Sequence, residues 1–310
     1  MALNTYNIRK WYRMLTGKSV LHVHQDMGKA FATDKLRGYF NNLTEKVTFL
    51  PQLLNTDELP QYKMPSGKLV TFPVAIFQYG LGAYDLYLLT GDATYKNKFI
   101  QCCQWAVQHQ EPSGAWNTFF FKYPHYPYGA MSQGEGASLL LRGYQETHNE
   151  NWLAAAKRAI DFMLLPLSEG GCTQYHDDGG VVLCEYTHLP IVMNGWVFAW
   201  FGLHDYVLAT HDNERYIKLL EQSEKSLEAT LPSFSCRYWS LYDLSGKMAS
   251  PFYHRLHIAQ MQALYLVTNK TVYKTFAEKW ERDLHNPLFK SIAFIRKAWQ
   301  KIREKEAWTN

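Results

Sequence analysis

From residue 72 onward the chain repeats itself, and that periodicity limits what it can fold into more than any other feature. Four segments of similar layout open near Phe72, Gln133, Asn194 and Phe252, at spacings of 61, 61 and 58 residues. A period of this size marks a supersecondary unit that buries its apolar face only by stacking on its neighbours. Each segment opens with an apolar helix, passes a short polar turn, continues as an amphipathic helix and ends in a Gly- or Pro-marked loop. The turns are alike: Tyr87 to Thr90 precedes Gly-Asp, Tyr144 to Thr147 precedes His-Asn, Tyr206 to Thr210 precedes His-Asp, and Tyr265 to Thr268 precedes Asn-Lys. Their Asp, Asn and Thr residues are expected to cap the second helices. Those second helices carry charge on one face, as in the runs beginning at Trp152 and Asn213, and belong outside; the helices apolar nearly all round belong inside. The expected fold is mainly α: an incomplete (α/α)4 toroid of four helical hairpins, with short β-hairpins and an N-terminal extended arm. An open solenoid of stacked hairpins is the alternative arrangement.

Residues 1–71 read differently. They hold β-branched stretches at Ser19–His24, Lys46–Leu50 and Lys68–Phe72, broken by Pro51, Pro60 and Pro65, and predict an arm with a few short strands packed over the helical body. The expected organisation is therefore arm (1–71), toroid (72–285) and a C-terminal basic amphipathic helix (286–310). Loops at Gly170–Tyr186 and Pro232–Pro251 look like hairpins, turning at Asp178-Gly-Gly180 and at Ser245-Gly246. In the tail, Leu288, Ile292, Ile295, Trp299 and Ile302 form one stripe, and Lys290, Arg296, Lys297, Lys301, Arg303 and Lys305 supply charge. Packing on the toroid's outside is the first expectation for that stripe. A membrane-surface contact, joined by the basic Arg9–Arg13 stretch, is the second.

Composition excludes several classes. Five cysteines without CxxC spacing, in a chain of 310 residues, read as buried reduced thiols and not as a disulfide framework or zinc site. Met1 to Lys18 lacks the continuous apolar run of a signal peptide, and no run of eighteen apolar residues predicts a membrane span. A cytoplasmic location is expected, with a peripheral contact at the inner membrane face left open. The net charge of +4 is compatible with an anionic partner without demanding one. Core packing explains much of the 15% aromatic content, and a cleft lined for sugars would raise it too.

The chemistry-bearing residues gather near helix starts. Each hairpin returns the chain to where it began, so the inner helices all start at one end and their positive N-terminal dipoles converge there. Glu185-Tyr186 lies shortly before one inner helix; Tyr242 and Tyr253 lie before or at the start of another. Gln133 and Asn194 open two of these helices, and Gln78 and Tyr79 lie in the first, where cleft lining and plain packing are equally open. Glu135 is either an added acid or base or a carboxylate placed by the dipole. An ordinary tyrosine has a pKa near 10, so ionising it at neutral pH costs roughly 4 kcal/mol. Helix N-termini, His254 or His257 are the candidates to offset that cost. The two histidines, at i and i+3, also share a face on which a metal is conceivable, though no third ligand is evident. Trp105, Trp152 and Trp280 fall on outer helices, where packing is expected.

Several separated stretches, in order, resemble one family. They are Ala130-Met-Ser-Gln-Gly-Glu-Gly-Ala-Ser138, Glu185-Tyr186 with Pro190 and Asn194-Gly195, Leu241-Tyr-Asp-Leu244, and Tyr253-His254-x-x-His257-Ile-x-Gln260. Together with Phe72 to Leu81 they resemble the heparan sulfate and heparosan D-glucuronyl C5-epimerases over roughly residues 70–285, and more loosely at Arg37-Gly-Tyr39. A large β-domain follows the Gln-Tyr-Gly-Leu segment in the animal enzymes; here the chain runs straight on to Asp92, like a short bacterial-type member. The resemblance implies inversion of glucuronate to iduronate within a polymer, with Tyr186, Tyr242 and Tyr253 catalytic and Glu185 beside them. Inversion needs a base on one face of the C5 carbon and an acid on the other. Three positions depart from the animal pattern: Ser245 replaces an arginine, Glu135 a glutamine and Phe252 an aspartate. Neutralising the substrate carboxylate then falls to Lys247, Arg237 or Arg255.

The resulting expectation is a cofactor-independent C5-epimerase, with no metal, acting on an anionic glucuronate-containing polysaccharide. Nucleic acid is not an expected partner; a homodimer is left open. A polysaccharide lyase shares the first proton abstraction, and a non-catalytic glycan-binding protein keeps the cleft without the reaction.

Overall fold

The computed structural model describes residues 23–64, 67–210 and 214–303, with the side chains of Lys301 and Ile302 outside that description. Four inner helices, each of 18 residues, carry the architecture: α2 (Pro73–Thr90), α4 (Ala130–Thr147), α6 (Met193–Thr210) and α8 (Pro251–Thr268). Each pairs with an outer helix: α3 (Ala93–Gln108), α5 (Glu150–Met163), α7 (Glu214–Thr230) and α9 (Thr271–His285). The inner helices pack in the sequence α2–α4–α6–α8, so the four hairpins form the incomplete α/α toroid that the periodicity predicts. A last helix, α10 (Pro287–Arg303), lies beside α9.

The repeated turns have a shared chemistry, and it differs from the expected one. Thr90, Thr147, Thr210 and Thr268 each donate their hydroxyl to the carbonyl four residues back, at 2.7–2.9 Å. They therefore close the inner helices and do not cap the outer ones. A left-handed residue follows three of them: Gly91, His148 and Asn269. Its N–H reaches back to Tyr87, Tyr144 or Tyr265 in the αL closing pattern. N-capping then falls one residue on, where Asp92 and Asn149 accept from Thr94 and Asn151. The fourth turn, at 211–213, lies outside the described residues.

Equal helix length puts equivalent residues at one height. Asp85, Arg142 and Asp205 are each the thirteenth residue of their helix. Arg142 pairs with Asp205 at 2.5 Å, both fully buried, and its Nε donates to the Gly38 carbonyl at 2.6 Å. Asp85 accepts from the Tyr39 amide at 2.9 Å. Phe40 stacks on Phe201 with ring centroids 4.0 Å apart, and Tyr39 lies parallel to Phe198. The stretch around Gly38–Phe40 thus plugs the ring at the level of the helices' C-terminal halves, a deeper engagement than an arm laid over the body. Lower down, Gly202 meets Gly134 so closely that a Cβ on either would collide with backbone, which lets α4 and α6 touch.

The arm contains less strand than expected. Lys46–Leu50 is not extended: α1 (Thr44–Thr48) occupies it, started by the Asn42 side chain accepting from the Thr44 amide and hydroxyl. Burial of Val47 against the core overrides its β-propensity. Lys68–Phe72 contributes β2 (Leu69–Val70), paired antiparallel with β1 (Tyr62–Lys63). Ser19 to Leu21, His22, Pro65 and the Arg9–Arg13 stretch lie outside the described residues. The first loop hairpin forms, with β3 (Thr173–Tyr175) against β4 (Val181–Leu183). The second consists of isolated bridges, Ser235 with Ser240 and Leu241 with Met248. All five cysteines are free thiols, four of them buried, and Trp152 and Trp280 are buried packing residues.

The tail corrects its expectation. Ala293 and Gln300 face the body, Gln300 accepting from the Met248 amide at 2.8 Å and donating to Gly246. The Leu288–Trp299 stripe faces solvent instead, with Ile295 67% exposed. Small and polar residues win the packed face because they allow close approach to the 240s loop.

Removing one member of the buried ion pair strands the other in low dielectric. Arg142→Met is expected to lower stability by roughly 3–5 kcal/mol in urea unfolding. Adding Asp205→Leu to that variant should recover a large part of the loss.

Candidate active site

Two loops and one helix start converge at the end of the ring opposite the plug. Glu185 and Tyr186 directly follow β4 and Cys184, whose carbonyl accepts from Ala130 at the start of α4, at 2.8 Å. The Glu185 carboxylate lies on the first turn of α6, where a Cβ at Gly195 would come within 2.2 Å of its Oε2. Gly129, just before α4, is pressed equally close to the Glu185 carbonyl. The beginnings of α4 and α6 are therefore fitted around this one residue.

The Tyr242 loop is stitched to the chain entering α6. Leu244 donates to Ile191 at 3.0 Å, and Val192 bridges Asp243. The buried Asp243 accepts from the Ser245 amide and hydroxyl, an Asx turn that Gly246 completes at φ +83°. Tyr253 sits in the first turn of α8, its amide bound by the N-cap Ser250 at 3.3 Å after Pro251 at the first helical position. These local devices bring Tyr242 and Tyr253 to a ring separation of 4.8 Å.

The hydroxyls form a line. Glu185 interacts with the Tyr186 side chain, Tyr186 with Tyr242, and Tyr242 with Tyr253. Each ring is partly exposed at the surface, while dense packing around it disfavours charge. Burial, followed by the nearby Glu185 charge, raises all three phenols well above their ordinary range. Burial pushes the Glu185 carboxyl up to about 7, against the pull of the Tyr186 hydroxyl and then Lys122. At neutral pH the line therefore consists of three neutral phenols ending in a carboxyl poised to gain or lose a proton.

An aromatic wall stands over it. Phe119 stacks on Tyr186 at 4.8 Å, Tyr123 meets both Tyr186 and His188 edge-on, and Tyr126 stacks on His188. The sequence reading missed this α3–α4 loop. The run Phe119-Phe-Phe-Lys-Tyr123 was its available signal, and it supplies Lys122, which acts on Glu185. A second cation, Lys297 of α10, lies 5.8 Å from the Tyr242 ring centroid.

Several expected ligands are structural. Gln133 is fully buried and holds Trp116 through both its amide atoms, accepting at 3.0 Å and donating at 3.1 Å. Tyr79 is buried toward Cys102. His254 stacks on Trp239 at 3.6 Å, with one ring nitrogen on Ser240 and the other on the Trp280 carbonyl. Burial holds it down at about 3, and burial, followed by His254, lowers His257, which is also on Ser240. Neither histidine supplies charge to a phenolate. Lys247 pairs with Asp243 at 3.5 Å, and its carbonyl accepts from the Tyr242 amide. Arg237 and Arg255 are exposed. Asn194 is buried with its carbonyl bound by Gln260 at 3.1 Å. Gln78 donates to Glu135 at 2.9 Å in the interior.

Residues 110–282 match the family described as D-glucuronyl C5-epimerase C-terminus. The chain belongs to that family. The stretch matched to the epimerase C-terminus holds Glu185, Tyr186, Tyr242, Tyr253 and Lys122. An uncharacterized protein of Methanocaldococcus jannaschii is 29% identical over 157 residues, 49% of this chain and 51% of its own. The D-glucuronyl C5-epimerase of Caenorhabditis elegans is 24% identical over 243 residues, 64% of this chain and 39% of that protein. The chain thus spans about half the length of the first relative and less of the second. Among solved structures, an unsaturated glucuronyl hydrolase specific for heparin shares the fold, with a TM-score of 0.52 at 12% identity over 84% of this chain and 81% of the other.

Glu135 is fully buried with one oxygen unpartnered among the described residues, and burial raises it from 4.5 to about 8. Its native form holds a proton that the unfolded chain releases. The associated stability is therefore full below about pH 4.5 and is lost as pH rises through about 8. Glu135→Gln should flatten this decline and gain roughly 3–5 kcal/mol relative to wild type near pH 9, read from urea midpoints across the range.

Proposed function

We propose that this chain inverts C5 of D-glucuronate residues within a polysaccharide, giving L-iduronate without an organic cofactor. The observation carrying the reading is the line Glu185–Tyr186–Tyr242–Tyr253, a carboxyl near neutrality coupled to three neighbouring phenols. The C5 hydrogen lies α to a carboxylate, so its removal leaves an electron pair that delocalises into the carboxylate as an enediolate. Tyr186 takes that proton as it passes its own to Glu185, and no free phenolate has to form. Tyr253 then gives its proton to the opposite face of C5 as the proton on Glu185 passes back through Tyr186 and Tyr242 to Tyr253, and the line is reset. Lys122, whose charge acts on Glu185, and Lys297, beside the Tyr242 ring, are assigned to neutralise the enediolate, in place of Arg237, Arg255 and Lys247.

The aromatic wall of Phe119, Tyr123 and Tyr126 suits sugar faces, and the family membership supports a D-glucuronyl substrate; a heparosan-type polymer is the one this reading assigns. With N-deacetylated heparosan in deuterated water, deuterium is expected at C5 and iduronate signals are expected by NMR. Tyr186→Phe and Tyr253→Phe should each reduce exchange by about 10³-fold with folding intact. Full exchange in both variants removes them from the mechanism. Ultraviolet-absorbing unsaturated uronate would instead identify a lyase, and binding without exchange a glycan-binding protein.

The pH profile follows from Glu185. As acceptor it must be the carboxylate, so kcat/KM for exchange should rise with pH through about 7, the value of the free protein's Glu185. Glu185→Gln should abolish that limb.

A further inference from the structure

We propose that α10 docks the protein onto an anionic lipid surface. The helix presents to solvent an apolar stripe that nothing in the described chain covers: Leu288 is 64% exposed, Ile295 67% and Trp299 51%. Its opposite face is already committed, through Ala293 in a small cluster with Trp239 and Met248, and through Gln300 on the 240s loop. The stripe is thus left outward by the packing, not by fraying of the helix from the body.

Charge decides what covers it. From Pro287 to Arg303 the helix carries Lys290, Arg296, Lys297, Lys301 and Arg303 and not one acidic residue. Helix α7, by contrast, mixes both signs along its outer face. Arg303 lies 3.7 Å from the Trp299 ring centroid, so a cation and an amphipathic ring sit together at the edge of the stripe. Apolar side chains bordered by lysine and arginine, with a tryptophan at the margin, are the pattern of a helix lying in a lipid interface. A second copy meeting this face stripe to stripe would set five cations against five. Residues 1–22 are a poor cover for the same reason, with Arg9, Lys10, Arg13 and Lys18 and no acid. No helix among the described residues is long and apolar enough to cross a membrane, so the contact is one of lying on the surface.

Docking does not rest on the epimerase reading: the apolar stripe touches none of the proposed catalytic groups, and of the helix's cations only Lys297 is assigned to the reaction. The test is co-sedimentation of the full chain with vesicles of phosphatidylcholine alone or with roughly one-third phosphatidylglycerol. About tenfold more protein should sediment with the anionic vesicles, and salt near 1 M should erase the difference. Ile295→Glu with Trp299→Glu should abolish sedimentation while leaving the melting temperature, elution volume and action on soluble polymer unchanged. If that pair impairs folding, Lys290→Glu with Arg303→Glu, both exposed, should lower anionic binding about tenfold instead. Equal sedimentation with both vesicle types overturns the proposal. So does undiminished binding by a folded variant, or a wild-type dimer that Ile295→Glu with Trp299→Glu converts to a non-binding monomer.

Discussion

The guanidinium of Arg142 is the interaction on which the rest of this architecture depends. It reaches from α4 to Asp205 on α6 and to the backbone of the segment that closes the ring. With Asp85 holding Tyr39 from α2, three inner helices are tied at one height to a single stretch of chain. That tie seals one end of the toroid with aromatic rings. The other end, where the helices begin, is left for loops to meet, and the positive ends of the helix dipoles gather there.

The phenols and the carboxyl at that end are tuned by opposite demands. Packing dense enough to hold four groups in line also removes water from them, which favours their neutral forms. For tyrosine this works against service as a free base. For Glu185 it lifts a weak base to a pKa at which it can accept and release a proton near neutrality. The same burial at Glu135 lacks the pull of a neighbouring phenol; Gln78 and Lys46 hold it down only in part. Two interior carboxyls, each with one unpartnered oxygen among the described residues, thus differ in behaviour because of what their neighbours offer.

Much of this was legible from residue order. The fourfold period announced the helical pairs, and Glu185, Tyr186, Tyr242 and Tyr253 stood out by their place before helix starts. What failed was the inference from position to exposure. Gln133 and His254 sit at the right helical turns, yet their amide and imidazole atoms are consumed by Trp116, Ser240 and Trp280, partners no local spacing reveals. Lys122 failed in the other direction: sixty-three residues separate it from Glu185, and only the folded loop joins them. Amphipathicity in α10 announced a stripe but not its direction, because that depends on which face offers side chains short enough to approach the 240s loop.

The attachment of Gln300 to Gly246 and Met248 has a further consequence for handling the molecule. The last helix acts as a brace on the loop that carries Tyr242, and Ala293 completes the small apolar cluster around Trp239. Truncation before residue 287 would strip that brace and open Trp239 to water, so a shortened version ending with α9 would have a loosened reactive loop even though its ring of hairpins were whole.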